Sequence, residues 1–98
     1  MSEKSVSENV GSQLLFENNR VRVWDLRIEP GKSTGLHRHT NDYLYVVIGR
    51  GILQGPDGKT QEMTDGDVVF REISGEDIHE AVNAGTKPWR NIIVELKD

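Results

Sequence analysis

The chain contains no cysteine. This absence excludes disulfide bonds, a thiol nucleophile and thiolate metal ligands, so a metal ion could be held only by histidine or carboxylate side chains. Histidine is scarce as well, with three residues in 98. A histidine-based site would therefore have to draw on those three side chains.

Long apolar runs and basic clusters are also missing. Apolar runs such as residues 46–48 are far shorter than the roughly 20 residues that span a bilayer, and residues 1–12 (MSEKSVSENVGS) lack the apolar core of a signal peptide. The 12 basic residues are scattered among 16 acidic ones, giving a net charge of −4, whereas nucleic-acid binding favours clustered lysine and arginine. We therefore expect a cytoplasmic protein with neither a membrane nor a nucleic acid as partner.

The length of 98 residues corresponds to one domain. Its 35% hydrophobic and 29% charged residues are typical of a globular protein. The polar residues 1–12 predict a flexible N-terminal arm, loose or docked, and residues 13–98 predict a single β-domain. Because so short a chain buries a modest fraction of its surface, oligomerisation would add stability.

Short strand-like segments alternate with turn signals, such as Pro56-Asp57-Gly58, along the whole domain. No segment of ten or more residues has a helical period, so the pattern predicts an all-β sandwich or barrel. Within residues 20–29 the apolar alternation changes phase between Val23 and Trp24, which predicts a bulge or bend there. The predicted strands are residues 13–17, 20–29, 35–39, 43–48, 51–54, 59–63, 67–73, 78–83 and 89–96.

Two of the three histidines are separated by a single residue. On a strand, His37 and His39 would point to the same face with Cα atoms roughly 6.5 Å apart, while Arg38 between them would face the other side. Two such imidazoles can converge on one ion, and a barrel could bring His79 opposite them. Alternatively, the pair is half-exposed on its strand and binds nothing.

The spacing around these histidines resembles the first motif of the cupin superfamily, G-x5-H-x-H. Here Gly31 is followed by KSTGL, His37, Arg38 and His39. The family's second motif ends in H-x3-N and begins with a glycine, and here Gly66 precedes His79-Glu80-Ala81-Val82-Asn83. Together the two motifs and their connection cover residues 31–83.

As a resemblance, this implies a small single-domain cupin. The implied fold is a double-stranded β-helix, or jelly-roll, barrel. The implied metal ligands are His37, His39 and His79, and the implied assembly is a homodimer. Asn83 would hold the end of its strand by hydrogen bonding.

The chain departs from the family pattern at a conserved glutamate. Counting back from Gly49 places Asp42 at that position; with a different loop register, Tyr43 takes it. Strand alternation puts Asp42 on one face with Leu44, Val46 and Ile48, which predicts an inward carboxylate that a metal would neutralise. Equally, Asp42 could be a turn residue after Asn41. In the second motif Glu72 replaces a proline, and the loop of residues 74–77 absorbs two extra residues.

Several other side chains have two interpretations. Trp24, Tyr43 and Tyr45 are possible pocket residues, although Trp24 and Trp89 are more often core, and the tyrosines could instead form an outer wall or dimer contact. Arg38 and Arg71 could bind an anion or be solvated. Glu72 could act as a general base, or lie on the surface.

Three imidazoles with an optional carboxylate would suit a divalent transition metal, iron, manganese, nickel, copper or zinc. One hypothesis is an enzyme that acts on a small organic acid as a dioxygenase, isomerase or decarboxylase; HRHTNDYLYVV also resembles small cupins associated with β-alanine breakdown. A second hypothesis is a barrel that binds or senses a small ligand without catalysis. A third, prompted by the missing glutamate, is a barrel that has lost its metal.

Overall fold

The computed structural model describes residues 5–97. Within this range the chain forms ten strands and no helix, which confirms the all-β prediction. None of the described residues belongs to a helix that could cross a membrane. The strands are β1 (Gln13–Glu17), β2 (Val21–Ile28), β3 (His37–His39), β4 (Tyr43–Val47), β5 (Gly51–Gln54), β6 (Thr60–Met63), β7 (Val68–Arg71), β8 (Asp77–His79), β9 (Val82–Asn83) and β10 (Trp89–Leu96).

The strands form one large sheet and two small ones. The five-stranded sheet has the order β1-β2-β10-β4-β7, and the small sheets are β3-β8 and β6-β5-β9. Every pairing between these strands is antiparallel. This strand-rich antiparallel arrangement is that of the predicted double-stranded β-helix barrel.

The central strand β10 shows how the sequence defines an inside and an outside. Its burial alternates strictly along WRNIIVEL, with Trp89, Asn91, Ile93 and Glu95 buried and the residues between them half-buried. This period of two is what a sheet with one face in the core requires. The buried apolar core consists of Val10, Trp24, Leu26, Ile28, Tyr43, Val47, Met63, Trp89 and Ile93.

Two details of the strand prediction are wrong. The bulge predicted within β2 lies in β1 instead, because β2 keeps its register with β10 throughout and the shift falls between Leu14 and Phe16. The predicted strand 78–83 is divided into β8 and β9, which pair with different partners, β3 and β5. The interruption lets one stretch of chain serve two sheets.

The described part of the predicted N-terminal arm lies against the barrel. Ser7 forms a parallel bridge with His37, and Val10 is 2% exposed within the core. Gly11 packs so closely on Trp24 that an added Cβ would lie 2.5 Å from the Trp24 Cβ. Packed residues therefore begin before the predicted domain boundary at residue 13, while residues 1–4 of the arm lie outside the described range.

Candidate metal centre

All three histidines meet at one place inside the barrel. Strand β3 pairs with β8 so that His37 lies directly opposite His79, and His39 points to the same side as His37 because it is two residues further along. The ring centroids are 4.9 Å apart for His37–His39, 4.7 Å for His37–His79 and 4.8 Å for His39–His79. Pairing of two strands distant in sequence thus assembles the cluster.

The cluster has dimensions that suit one metal ion. One nitrogen from each ring can be chosen so that all three lie within 4.8 Å of one another. Nitrogens bound tetrahedrally to a single ion at 2.0–2.1 Å lie about 3.4 Å apart. The widest pair of rings would therefore need to close by up to about 1.4 Å on binding an ion.

Two of the imidazoles are oriented by oxygen atoms behind them. The Nδ1 of His37 lies 3.1 Å from the Gly35 carbonyl oxygen and 3.3 Å from Thr34 Oγ1. The Nδ1 of His79 lies 2.7 Å from Asp77 Oδ2. Such partners favour a proton on Nδ1 and leave Nε2 free as a ligand atom.

The third imidazole, that of His39, is held by stacking instead. Its ring lies on that of Tyr43, with centroids 4.0 Å apart and planes 12° from parallel. Its buried Nδ1 has no hydrogen-bond partner among the described residues. The ring is therefore fixed by shape, and its nitrogens remain available.

Burial keeps the inner histidines in the form that binds metal. Desolvation, with the neighbouring His37 and His79, lowers the pKa of His39 to about 3. Desolvation also lowers the pKa of His37. Both rings are thus neutral at pH 7, as a metal-ligating imidazole must be.

The face assignment made for the strand after His39 is wrong. Tyr43 and Val47 are 5% and 1% exposed and Tyr45 packs against the core, so the odd-numbered side chains of β4 point inward. Ile48 is 39% exposed on the outer side. Aromatic side chains thus occupy the inner face because Tyr43 packs on His39.

The structure does not bring Asp42 to the histidine cluster, which among the described residues consists of the three histidines. Its Oδ1 accepts a hydrogen bond from the backbone N–H of Ile73 at 2.8 Å, and its carbonyl oxygen accepts one from Leu96. Asp42 therefore links the start of β4 to the residues after β7 and to the end of β10. Of the two residues considered for the family's glutamate position, Tyr43 is the one that stacks on a histidine ring.

The cluster opens into a cavity of about 570 Å³. Of the three side chains predicted as possible pocket residues, Tyr43 and Tyr45 line this cavity and Trp24 does not. Trp24 is 5% exposed in the core, where its Nε1 donates a 2.7 Å hydrogen bond to Glu95. Cations and carboxylates also line the cavity, and these are Lys59, Arg71, Asp57, Asp77 and Glu80.

Other predicted residues take structural positions. Asn83 is 0% exposed and donates 2.8 Å hydrogen bonds to the carbonyl oxygens of Ile28 and Lys87, which confirms its predicted role. Arg38 points away from the cluster and forms ion pairs with Glu8 and Glu76. Glu72 is exposed and is absent from the cavity lining.

Sequence analysis missed Asp77, Thr34 and Asn91. The first two were not recognised because the carboxylate and hydroxyl behind a histidine become neighbours only through strand pairing. Asn91 could have been found, since it occupies an inward position in the strict alternation of WRNIIVEL. A polar residue at an inward position is a deviation from the core pattern.

Comparison with known proteins agrees with this architecture. The family model of the cupin domain matches residues 24–95, a range that includes all three histidines. A crystal structure of a cupin domain from Bordetella pertussis superimposes with a TM-score of 0.73 at 31% sequence identity, covering 88% of this chain and 91% of that one.

Two curated proteins are similar in sequence. The β-alanine degradation protein BauB of Pseudomonas aeruginosa is 32% identical over 84 residues, covering 83% of this chain and 86% of that protein. The oxalate-binding protein of Thermotoga maritima is 34% identical over 71 residues, covering 69% of this chain and 56% of that protein.

Proposed function

Since the chain belongs to the cupin family, we propose that it holds one divalent transition metal ion through His37, His39 and His79 and binds a small organic acid beside that ion. The observation that carries this proposal is the convergence of three ring nitrogens within 4.8 Å at a cavity. Asp42 is left out of the proposed ligand set because its carboxylate is bonded to Ile73.

The donor set fits such an ion. Three neutral nitrogen donors with no thiolate suit iron, manganese, nickel, copper or zinc. When bound, the ion would act as a Lewis acid toward an oxygen atom of a ligand. Three neutral protein ligands leave its full positive charge, which favours an anionic partner.

The cavity supports a carboxylate as that partner. Carboxylates also line the cavity, but Arg71 and Lys59 supply positive charge among them, and an arginine guanidinium matches the two oxygens of a carboxylate. The relative from Thermotoga maritima is named for binding oxalate, a small dicarboxylate. Binding is common to the enzymatic and the non-catalytic hypotheses, so we take binding as the proposed function.

Metal analysis of untagged protein tests the proposal, because a histidine tag would add competing ligands. After removal of metal with a chelator, the protein is dialysed against each of the five divalent ions and its metal content is measured. We expect one ion per chain. His37→Ala, His39→Ala and His79→Ala should each lose it, whereas Tyr45→Phe, a cavity residue outside the cluster, should retain it. Equal metal content in all four variants would refute the site.

Calorimetric titration with small carboxylates, with and without the metal, tests ligand binding. We expect binding that depends on the metal; equal affinity in both forms would contradict the proposal. A turnover screen of the same acids, with aerobic and anaerobic arms, then separates an enzyme from a binding protein. The cytoplasmic location remains a prediction, which cell fractionation would test.

We further propose that two copies pair through the outer face of the five-stranded sheet. One apolar row, the outer ladder, crosses all five strands in register. Phe16 pairs with Val23 and Val23 with Val94, then Val94 pairs with Leu44 and Leu44 with Phe70. Its two ends, Phe16 and Phe70, are 54% and 51% exposed.

The size and chemistry of this face favour a second copy as its occupant. Five strands spaced about 4.8 Å apart, the longest of eight residues, make a face of roughly 24 by 26 Å, or about 620 Å². This area approaches the ~800 Å² that each partner contributes to a standard interface. The outer ladder contains no charged side chain, and the charges on the same face, Asp25 with Arg27 and Arg90, are paired with one another. Identical copies can therefore stack their apolar rows about a two-fold axis without burying an unpaired charge.

Light scattering tests the pairing. The expected mass is twice the 11.1 kDa of one chain. Phe16→Lys and Phe70→Lys should give monomers, whereas Ile78→Lys, at a 39% exposed apolar residue outside the outer ladder, should remain dimeric. A monomeric parent, or dimers in all three variants, would refute this interface.

A further inference from the structure

We infer that Asn91 is a ligand-recognition residue and that the ligand carries a hydrogen-bond donor, a hydroxyl or an ammonium group, in addition to its metal-binding carboxylate. This inference rests on the proposed function, since it takes the carboxylate at the metal as given. It adds a second point of recognition across the cavity.

Asn91 is a buried polar group without a partner. Its side chain lines the cavity and the residue is 2% exposed, yet its Oδ1 accepts no hydrogen bond among the described residues. Its strand neighbours are apolar, Leu26 on one side and Val47 on the other. An unsatisfied buried acceptor in such surroundings is unfavourable and uncommon in native proteins.

A second buried asparagine shows what a purely structural role looks like in this chain. Asn83 bonds through both amide atoms, donating to Ile28 and Lys87 and accepting from the N–H of Gly85. Within the described part of the chain Asn91 makes no comparable bonds, although it is almost as deeply buried. Its buried, unpartnered Oδ1 is therefore suited to accept a hydrogen bond from a ligand in the cavity.

The position of Asn91 requires a ligand that spans the cavity. Asn91 lies opposite Val47, four residues along β4 from Tyr43, the residue that stacks on His39, and four residues span about 13 Å. A cavity of about 570 Å³ is within the range that accommodates ligands far larger than a two-carbon acid. A carboxylic acid of roughly three to five carbons with a donor at its far end would meet both points.

Calorimetric titration of zinc-loaded protein with matched acid pairs tests this inference. The pairs are propionate with 3-hydroxypropionate, butyrate with 4-hydroxybutyrate and pentanoate with 5-hydroxypentanoate, and the corresponding amino acids form a third arm. We expect the parent to prefer the donor-bearing member of at least one pair by about 3- to 10-fold, the effect of one net hydrogen bond. The preferred arm identifies the donor as hydroxyl or ammonium.

Asn91→Leu should abolish this preference while retaining the metal and the affinity for the plain acid. The substitution removes no side-chain hydrogen bond among residues 5–97, and Asn91→Ala provides a second amide-free variant if leucine does not fit. Gln13→Leu, the loss of an amide from an exposed residue of β1 that is absent from the cavity lining, should leave the preference unchanged.

The outcomes separate this inference from the proposed function. If the parent binds metal and plain carboxylates but shows no preference within any pair, or if the preference survives in Asn91→Leu, the inference is wrong and the proposed function stands. If zinc-loaded parent binds no carboxylate, the proposed function fails and this inference fails with it.

Discussion

The imidazole of His39 lies flat on the phenol ring of Tyr43, with centroids 4.0 Å apart and planes 12° from parallel. None of residues 5–97 forms a hydrogen bond with His39 Nδ1, so this stack takes the place of the oxygen partners that orient His37 and His79. Burial raises the pKa of Tyr43 to about 12, so its hydroxyl is neutral at pH 7. We therefore expect the ring of Tyr43, rather than its hydroxyl, to position the imidazole of His39 as a metal ligand.

Substitution of Tyr43 tests this role. Tyr43→Phe keeps the ring, so metal affinity should stay within about 2-fold of the parent. Tyr43→Ala removes the ring and leaves a cavity, so we expect metal affinity to fall by about 10-fold and the free energy of unfolding to fall by about 3 kcal/mol. Metal titration and urea denaturation measure the two effects. Equal loss of affinity in both variants would assign the role to the hydroxyl instead.

Asp77 is expected to orient His79, because its Oδ2 lies 2.7 Å from His79 Nδ1. Asp77→Asn keeps the size of the side chain but removes the negative charge that favours a proton on Nδ1. We expect metal affinity to fall by about 10-fold, the lower end of the range for such partners because Asp77 is half exposed. Competition titration with a chelating dye measures it. Glu62→Gln, on the exposed part of β6, serves as the control. An equal loss of metal affinity in Glu62→Gln would mean that the net charge of the protein, rather than the contact of Asp77 with His79, causes the effect.

The sequence was most informative where a pattern depends only on neighbours along the chain. The alternation of Trp89 to Leu96 predicted a strand with one buried face, and the polar turns predicted the ends of most strands. His37 and His39 were correctly placed on one face because their separation by two residues decides it. What the sequence could not provide was which strand pairs with which.

The errors have the same physical origin. Val23 and Trp24 lie opposite a bulge, but the inserted residue belongs to β1. The pairing of β2 with β10 is continuous and keeps β2 regular, so the irregularity falls on β1. The inward face of β4 was misassigned because tyrosines alternate with aliphatic residues there, so hydrophobicity alone does not distinguish the two faces. Contact of Tyr43 with His39 settles the orientation, and that contact exists only in three dimensions.

Asp42→Asn tests whether a carboxylate completes the metal site. Because Asp42 Oδ1 accepts a hydrogen bond from Ile73, and an amide oxygen can accept the same bond, we expect the variant to fold and to bind one ion with affinity within about 3-fold of the parent. Metal content after dialysis and a competition titration provide the measurement. A loss comparable to that of His79→Ala would restore Asp42 as a ligand.

The stability of the metal-free protein should fall with acidification between pH 7 and pH 5. The pKa of His39 is about 3 in the folded protein and about 6.5 in an unfolded chain, so below pH 6.5 the unfolded state binds a proton that the folded state does not. The contribution of neutral His39 to the free energy of unfolding is complete above pH 6.5 and is lost progressively as the pH falls toward 3. The lowered pKa of His37 acts in the same direction.

For His39 alone the loss between pH 7 and pH 5 should be about 2 kcal/mol in the free energy of unfolding. The range from pH 7 to pH 5 lies above the titration of Asp25, because the hydrogen bond with Arg90 lowers the pKa of that carboxyl. Asp25 therefore does not contribute to the change in stability over this range. Urea denaturation at pH 7, 6 and 5 measures the slope, and His39→Asn should flatten it. Because a bound ion holds the same nitrogens without a proton, saturating metal should steepen the dependence of stability on pH, as protons displace the ion. A slope unchanged in His39→Asn would mean that this imidazole is accessible to protons in the folded state.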